Sequence, residues 1–99
     1  MNSKAFSLLR LILISNLVKY REDGISFREL KAGLDVTDGA IYSNLKALKE
    51  MGFIEEEPVE FGNKTLALYK ITRIGIEEWK KIENWLKQFI DFMRIDEDD

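Results

Sequence analysis

The stretch VTDGAIYSNLKALKEMG, residues 36–52, decides the fold of this 99-residue chain. Thr37 can cap a helix by accepting a hydrogen bond from a free backbone N–H of the first turn. Gly52 can end the same helix in the left-handed conformation. Ile41, Leu45 and Leu48 are spaced by four and then three residues, which is typical of a helix face that packs on a core. The stretch therefore predicts a helix over residues 37–51 with one buried and one free face.

A shorter helix precedes this one. Ile25 is predicted to form a short strand, and Ser26 and Glu29 have the spacing of a capping box, in which each side chain satisfies the other's backbone N–H. The helix that follows is predicted to end near Gly33, and residues 33–36 form a short turn. Two helices joined by so short a turn predict a helix-turn-helix.

A β-hairpin is predicted directly after the helix-turn-helix. Residues 53–60 and 65–72 have the composition of strands, and the turn between them contains Gly62-Asn63, which readily takes positive φ. Pro58 cannot donate a ladder hydrogen bond, so the first strand is predicted to lie at a sheet edge or at a bulge.

The first and last helices carry more apolar surface than a small chain needs. Residues 3–22 are apolar on several sides, and residues 73–95, capped by Thr72, have a heptad-like apolar seam. Both patterns predict that a second copy of the chain covers these helices, although the two faces could instead pack against each other within one chain. The predicted dimer interface consists of Phe6, Leu9, Leu13, Trp79, Ile82, Trp85, Leu86, Phe89, Phe92 and Met93.

Composition excludes several classes of function. The chain contains neither cysteine nor histidine, so it lacks a thiolate nucleophile, an imidazole base and the usual zinc ligands. Glu77 and Glu78 are adjacent, project about 100° apart on a helix and are predicted to be solvated. We therefore expect no enzyme activity, no metal ion and no cofactor.

The order of elements and three segments resemble a known family. The segments are ISFREL at 25–30, VTDGAIYSNLKALKEMGFI at 36–54 and YKITRIG at 69–75. They resemble the winged-helix transcriptional regulators of the MarR, PadR and ArsR types, especially small archaeal and bacterial members. The resemblance implies a mainly α fold with a small β-hairpin wing (α+β) and a long C-terminal dimerisation helix. The domain would span residues 1–95, followed by an acidic tail at 96–99.

The resemblance makes residues 37–51 a recognition helix for the major groove of DNA. At about 100° per residue, Gly39, Ser43 and Lys46 lie opposite the apolar stripe, with Tyr42 on the flank. Asn44 borders the stripe and is not counted among the contacts. Thr37 is open to two interpretations, as a cap or as a reader of bases. The predicted recognition-helix contacts are Thr37, Asp38, Gly39, Tyr42, Ser43 and Lys46.

Further DNA contacts are predicted outside that helix. The wing, about residues 58–66, would lie on the minor groove or the backbone through Asn63, Lys64 and Thr65. Arg28 and Lys31 on the shorter helix are predicted to contact phosphates. In the alternative interpretation, Arg28, Lys31 and Lys64 are surface residues that keep the protein in solution and do not contact DNA.

The formal net charge of −3 is unevenly distributed along the chain. Residues 1–21 carry four cations and no acid, and residues 61–73 carry three cations and no acid. Four glutamates fall within residues 52–60. This distribution favours a DNA binder with few phosphate contacts and a modest dependence on salt.

The sequence therefore predicts a sequence-specific regulator that binds double-stranded DNA as a homodimer. The alternative is a winged-helix module that binds protein within the transcription machinery. An unknown small-molecule effector could bind between the first and last helices, against Trp79, Trp85 and Phe89. No stretch is long and apolar enough to predict a membrane span, so a cytoplasmic protein is expected. The abundance of Ile, Leu, Lys and Glu, with one glutamine, leans toward a thermophilic source.

Overall fold

The helices and strands follow one another along the chain in the predicted order. The computed structural model describes residues 7–95. Its three strands form one antiparallel sheet in the order β1-β3-β2, which confirms the α+β winged-helix fold. The N-terminal Phe6 and the acidic tail at 96–99 lie outside the described residues. The elements are α1 (Leu8–Lys19), β1 (Ile25–Ser26), α2 (Phe27–Lys31), α3 (Asp38–Glu50), β2 (Ile54–Phe61), β3 (Lys64–Ile71) and α4 (Arg73–Met93).

The predicted caps are confirmed. The Thr37 Oγ1 accepts a hydrogen bond from the Ala40 N–H at 3.2 Å. Ser26 and Glu29 form the reciprocal capping box at the start of α2. Caps of this kind stabilise a helix by about 1 kcal/mol. The start of each helix is therefore fixed by its own local sequence.

Helix α1 is shorter than predicted at its C-terminal end. It ends at Lys19 and not at residue 22. The chain then turns, and the Gly24 N–H donates to the Tyr20 carbonyl at 2.8 Å. Gly24 has φ +79°, which reverses the chain toward β1. The turn closed by Gly24 thus separates the end of α1 from β1.

The hairpin turn is tighter than predicted. Phe61 pairs directly with Lys64, so the turn has two residues, Gly62 and Asn63. Only the glycine takes positive φ, at +63°, as in a turn with Gly at its first central position. Strand β2 lies at the edge of the sheet, so Pro58 costs no ladder hydrogen bond there.

One side of α1 packs into the core of its own chain, and cover of its remaining apolar surface by a partner chain stays a prediction. Leu13, Ile14 and Leu17 are buried, and Leu11 and Val18 pack against the same core. Helix α1 contacts both β3 and α4 of its own chain. The three buried residues are therefore covered from within, whereas Leu9 and Ile12 are partly exposed and Leu8 at the start of the helix remains 75% exposed. None of the helices among residues 7–95 is long and apolar enough to cross a membrane.

A tight corner joins α3, the base of the wing and α4. The Thr72 Oγ1 donates to the Gly52 carbonyl at 2.6 Å and accepts from the Gly75 N–H at 3.1 Å. The Thr72 N–H donates to the Phe53 carbonyl at 2.9 Å. Gly75 is buried here, and a Cβ at its position would overlap the Phe53 carbonyl and lie 2.7 Å from Cγ1 of Ile71. The corner tolerates only glycine at that position.

Gly75→Ala is expected to lower the free energy of unfolding by about 1–3 kcal/mol, since backbone atoms cannot move aside cheaply. Gly39→Ala is the matched control, because nothing lies within 4 Å of its Cβ position. As a helical Gly→Ala change, the control should leave stability unchanged or raise it by up to about 1 kcal/mol. Urea unfolding followed by tryptophan fluorescence measures both. Equal stability of the two variants would contradict the close approach at Gly75.

Candidate nucleic-acid interface

Helix α3 has one buried and one exposed face, as its spacing predicts. Ile41, Leu45 and Leu48 are at most 2% exposed. The opposite residues Ser43 and Lys46 are exposed, as is Gly39, which has open space around it. This solvent-facing surface therefore combines the bare backbone of Gly39, the hydroxyl of Ser43 and the ammonium group of Lys46.

The start of α3 carries a cap and an ion pair. Thr37 serves as the cap, and reading of a base by its hydroxyl stays a prediction. Lys31 Nζ on α2 lies 2.7 Å from Asp38 Oδ1 on α3. Both partners were predicted to contact DNA, and here they bind each other across the turn of the helix-turn-helix. Because the two side chains are about half exposed, the pair is weak and can exchange for a phosphate or a base.

Tyr42 is held in place by an aromatic neighbour that the sequence analysis missed. Its ring stacks on Phe27, with centroids 4.0 Å apart and planes 9° from parallel. Tyr42 nevertheless remains 52% exposed, so its hydroxyl is accessible from a fixed ring. Phe27 occupies the first position of α2, directly after the Ser26 cap. That position in the sequence is the feature from which its role beside α3 could have been suspected.

The side chain of Asn44 makes hydrogen bonds within the fold, consistent with its exclusion from the predicted DNA contacts. Arg10 Nε on α1 donates to Asn44 Oδ1 at 2.7 Å, and Asn44 Nδ2 donates to the Ala40 carbonyl at 2.7 Å. The amide thus links α1 to the recognition helix and fixes its own side chain on α3.

One cation on α3 and one on the wing offset part of the acid run of β2. Lys49 Nζ on α3 lies 3.1 Å from Glu56 Oε2, and Lys70 Nζ lies 3.1 Å from Glu57 Oε2. At the tip, the predicted contacts Asn63, Lys64 and Thr65 are all exposed, and within residues 7–95 no carboxylate lies within 4.0 Å of the Lys64 ammonium. Arg28, predicted to contact phosphate, is also exposed on α2.

A cleft of about 250 Å³ separates α3 from the wing. It is bordered by Tyr42, Lys46, Lys49, Glu56 and Tyr69. Burial raises the pKa of the Tyr69 phenol above its usual value of 10.0, and the Glu56 carboxylate and then Tyr42 raise it further. The Tyr69 hydroxyl is therefore protonated at neutral pH and is a hydrogen-bond donor.

The structure narrows the predicted dimer interface. Leu13 and Ile82 are 0% exposed within one chain, so their place in a dimer interface was wrong. They were assigned from helical spacing, which does not distinguish a chain's own core from a partner. Leu9, Trp79 and Leu86 are partly buried against the same core. The exposed members of the predicted set are Trp85, Phe89, Phe92 and Met93, joined by Ile90 and Ile95.

Glu78 contradicts the expectation that the glutamate pair on α4 is solvated. Glu77 is exposed, but Glu78 is only 7% exposed. Glu78 lies one turn before Ile82 and three residues after Gly75, on the stripe of α4 that faces the core. Among the described residues, no group of three or more acidic side chains is arranged to hold a metal ion.

The comparisons identify the class of protein. The family model of the winged helix DNA-binding domain matches residues 9–90, and the chain belongs to that family. A comparison with curated proteins finds no match. The predicted winged-helix regulator fold is confirmed, with PadR-family structures prominent among the similar ones.

Three solved structures illustrate the similarity. Diamide-treated YodB from B. subtilis has a TM-score of 0.73 and 14% identity, covering 95% of this chain and 89% of that chain. A PadR family transcription regulator from Clostridium difficile has a TM-score of 0.66 and 18% identity, covering 86% and 96%. A MepR mutant from S. aureus, bound to an oligodeoxyribonucleotide, has a TM-score of 0.66 and 16% identity, covering 97% and 71%. At these identities the likeness shows the fold.

Asn44→Ala is expected to lower the free energy of unfolding by about 1–2 kcal/mol, because the Arg10 guanidinium loses an acceptor in a part-buried site. Ser43→Ala is the neighbouring control on the exposed face, and its effect should stay within about 0.5 kcal/mol. Urea unfolding of both variants measures the difference. If Asn44→Ala unfolds like the wild type, the link between α1 and α3 contributes no stability.

Proposed function

We propose that this protein is a sequence-specific, double-stranded DNA-binding transcriptional regulator that acts as a homodimer. The observation that carries the proposal is the surface of α3 opposite Ile41, Leu45 and Leu48. It is exposed, includes Gly39, and presents Ser43 and Lys46 beside an attached wing. The family match supports DNA binding, and the MepR neighbour was solved with an oligodeoxyribonucleotide.

In this proposal α3 enters the major groove and reads base edges. Lys46 donates to guanine acceptors, Ser43 and Tyr42 offer hydroxyls, and Gly39 lets the backbone approach closely. Asp38 can accept from the cytosine amino group once it leaves Lys31. Thr37 lies at the end of the helix that would be nearest the bases. Its hydroxyl can donate while its oxygen serves as the cap.

Contacts to the backbone hold the protein in register. Arg28 and Lys31 on α2 lie where phosphates would pass beside the recognition helix, and the wing, about residues 58–66, follows the neighbouring minor groove or backbone. Asn63, Lys64 and Thr65 would make the wing contacts. Since Glu56 and Glu57 have cation partners, the acid run opposes DNA less than its formal charge implies.

The C-terminal half of α4 is the surface that supports a dimer. Trp85 and Phe89 stack on each other, with centroids 5.2 Å apart, yet remain 38% and 47% exposed. Phe92 is 85% exposed and Met93 59% exposed. A contiguous apolar surface of this kind on one helix is typical of an interface. A two-fold dimer would place two recognition helices about 34 Å apart, one turn of DNA.

Lys46→Glu is expected to weaken operator binding at least tenfold, since it removes a base contact and adds repulsion. It should also reduce the slope of log affinity against log salt by about one if the ammonium lies near phosphate. Lys80→Glu on α4 is the matched control with the same change in charge, and it should bind nearly as the wild type does. Fluorescence anisotropy on duplexes selected from genomic fragments, titrated with salt, measures both. Absence of salt-sensitive binding by the wild type to any fragment would refute the DNA-binding proposal.

Phe89→Glu combined with Phe92→Glu is expected to convert the dimer into a monomer, because two charges would be buried in the interface. Ile74→Glu is the control, since Ile74 is exposed on the first turn of α4, away from the proposed interface. Sedimentation equilibrium gives the mass of each variant. A wild type that sediments as a monomer at all concentrations would contradict the dimer.

Two further uses of the fold are outcomes of the same experiments. If charge reversal at Lys46 and Lys64 leaves function intact, the winged helix binds protein in the transcription machinery. The acid run of β2 is the observation that favours that alternative. An effector near Trp79, Trp85 and Phe89 stays a prediction, and a change of tryptophan fluorescence in a ligand screen tests it.

A further inference from the structure

The wing ends in an aromatic side chain that packing among residues 7–95 leaves exposed. Phe61 is 74% exposed at the last position of β2. The turn beyond it, Gly62-Asn63, has no side chain large enough to cover the ring. An exposed phenylalanine at the end of a hairpin leaves its apolar surface in water, so a partner that covers it would gain free energy.

Phe61 is paired with the free cation of the wing tip. It lies directly opposite Lys64 in the β2–β3 register, so both side chains emerge on one face of the hairpin. Paired residues in an antiparallel ladder have Cα atoms about 4.5–5.5 Å apart. The ring and the ammonium group therefore reach any partner together, and we refer to Phe61 and Lys64 as the tip pair.

The other face of the hairpin is different. Glu56, Pro58 and Glu60 alternate along β2 opposite Tyr69, Ala67 and Thr65, on the face that continues into the buried Ile54 and Ile71. The acidic side chains of that face, Glu56 and Glu60, thus lie on the opposite side of the hairpin from the tip pair. Glu55 and Glu57 share the face of the tip pair but lie nearer the base of the wing, where Glu57 binds Lys70. From Phe61 through Leu66 the chain carries one cation and no carboxylate.

We propose that Phe61 is a wedge that enters the minor groove and partly unstacks one base step while Lys64 binds the adjacent phosphate. The proposal rests on the proposed DNA-binding function. DNA is the partner that fits the tip pair. The tip combines an apolar ring with an unneutralised cation and polar neighbours, and this combination complements an anionic groove with stacked bases inside. Apolar wedges of this type kink the duplex toward the major groove.

A wedge adds a form of specificity that α3 does not supply. Pyrimidine–purine steps such as TA unstack more easily than other steps, so sites with such a step under the wing would be preferred. The protein would therefore bend its operator and select sequence at positions where it makes no hydrogen bond to a base.

The test compares Phe61→Ala, Phe61→Leu and the control Ile74→Ala on one duplex. The duplex is selected by the wild type from a random library, and dyes at its two ends report bending by energy transfer. A 2-aminopurine at the step under the wing reports unstacking. Ile74 is 53% exposed and apolar but lies on the first turn of α4, outside the wing and α3.

The expected result is that the wild type bends the duplex and brightens the 2-aminopurine. Phe61→Ala should lose both signals and bind about tenfold more weakly, with an unchanged salt slope because no charge is removed. Phe61→Leu should retain a reduced bend, and Ile74→Ala should behave as the wild type does.

Three results would overturn the inference, and they are distinguishable. A wild type that binds no duplex removes the proposed function itself. A wild type that binds, with Phe61→Ala bending and binding equally well, removes only the wedge. A Phe61→Ala variant that keeps its DNA signals but changes mass in sedimentation assigns Phe61 to a protein contact instead.

Discussion

The Thr72 hydroxyl makes the interaction on which the rest of the structure depends. It donates to the carbonyl of Gly52, where α3 ends, and accepts from the N–H of Gly75, where α4 begins. The backbone N–H of the same residue donates to Phe53 at the base of the wing. One threonine therefore sets the relative positions of the proposed recognition helix, the wing and the helix proposed to form the dimer. Because Gly75 removes the steric obstacle, these elements approach to backbone contact.

Local chemistry explains why much of the fold could be predicted from the sequence. Thr37, Ser26 with Glu29, and Thr72 are caps whose partners lie within three residues, so their effect can be read without knowing the tertiary structure. Pro58 at a sheet edge follows from its missing N–H in the same way. The α3 stripe was predicted correctly because only one face of that helix is apolar.

What could not be predicted is the identity of the surface that covers an apolar face. Leu13 and Ile82 belong to helical apolar patterns, as do Phe89 and Phe92, but the first two are buried by their own chain. Helical periodicity indicates that a face is buried, but it does not indicate whether the same chain or a partner chain covers that face. Glu78 is the converse, since a charged side chain gave no sign in the sequence that its position faces the core. In the candidate site, the Phe27–Tyr42 stack and the Lys31–Asp38 pair depend on how α2 meets α3, which no spacing within one helix reveals.

The acid run of β2 has a consequence for solubility. Strand β2 is the long edge of the sheet, and an unprotected edge can add a strand from another molecule. Pro58 removes one donor from that edge, and the four glutamates at 55–57 and 60 surround it with negative charge. A second copy approaching edge to edge would meet like charge and a break in the hydrogen-bond ladder. The residues that reduce attraction to DNA thus also protect the wing from forming an intermolecular sheet.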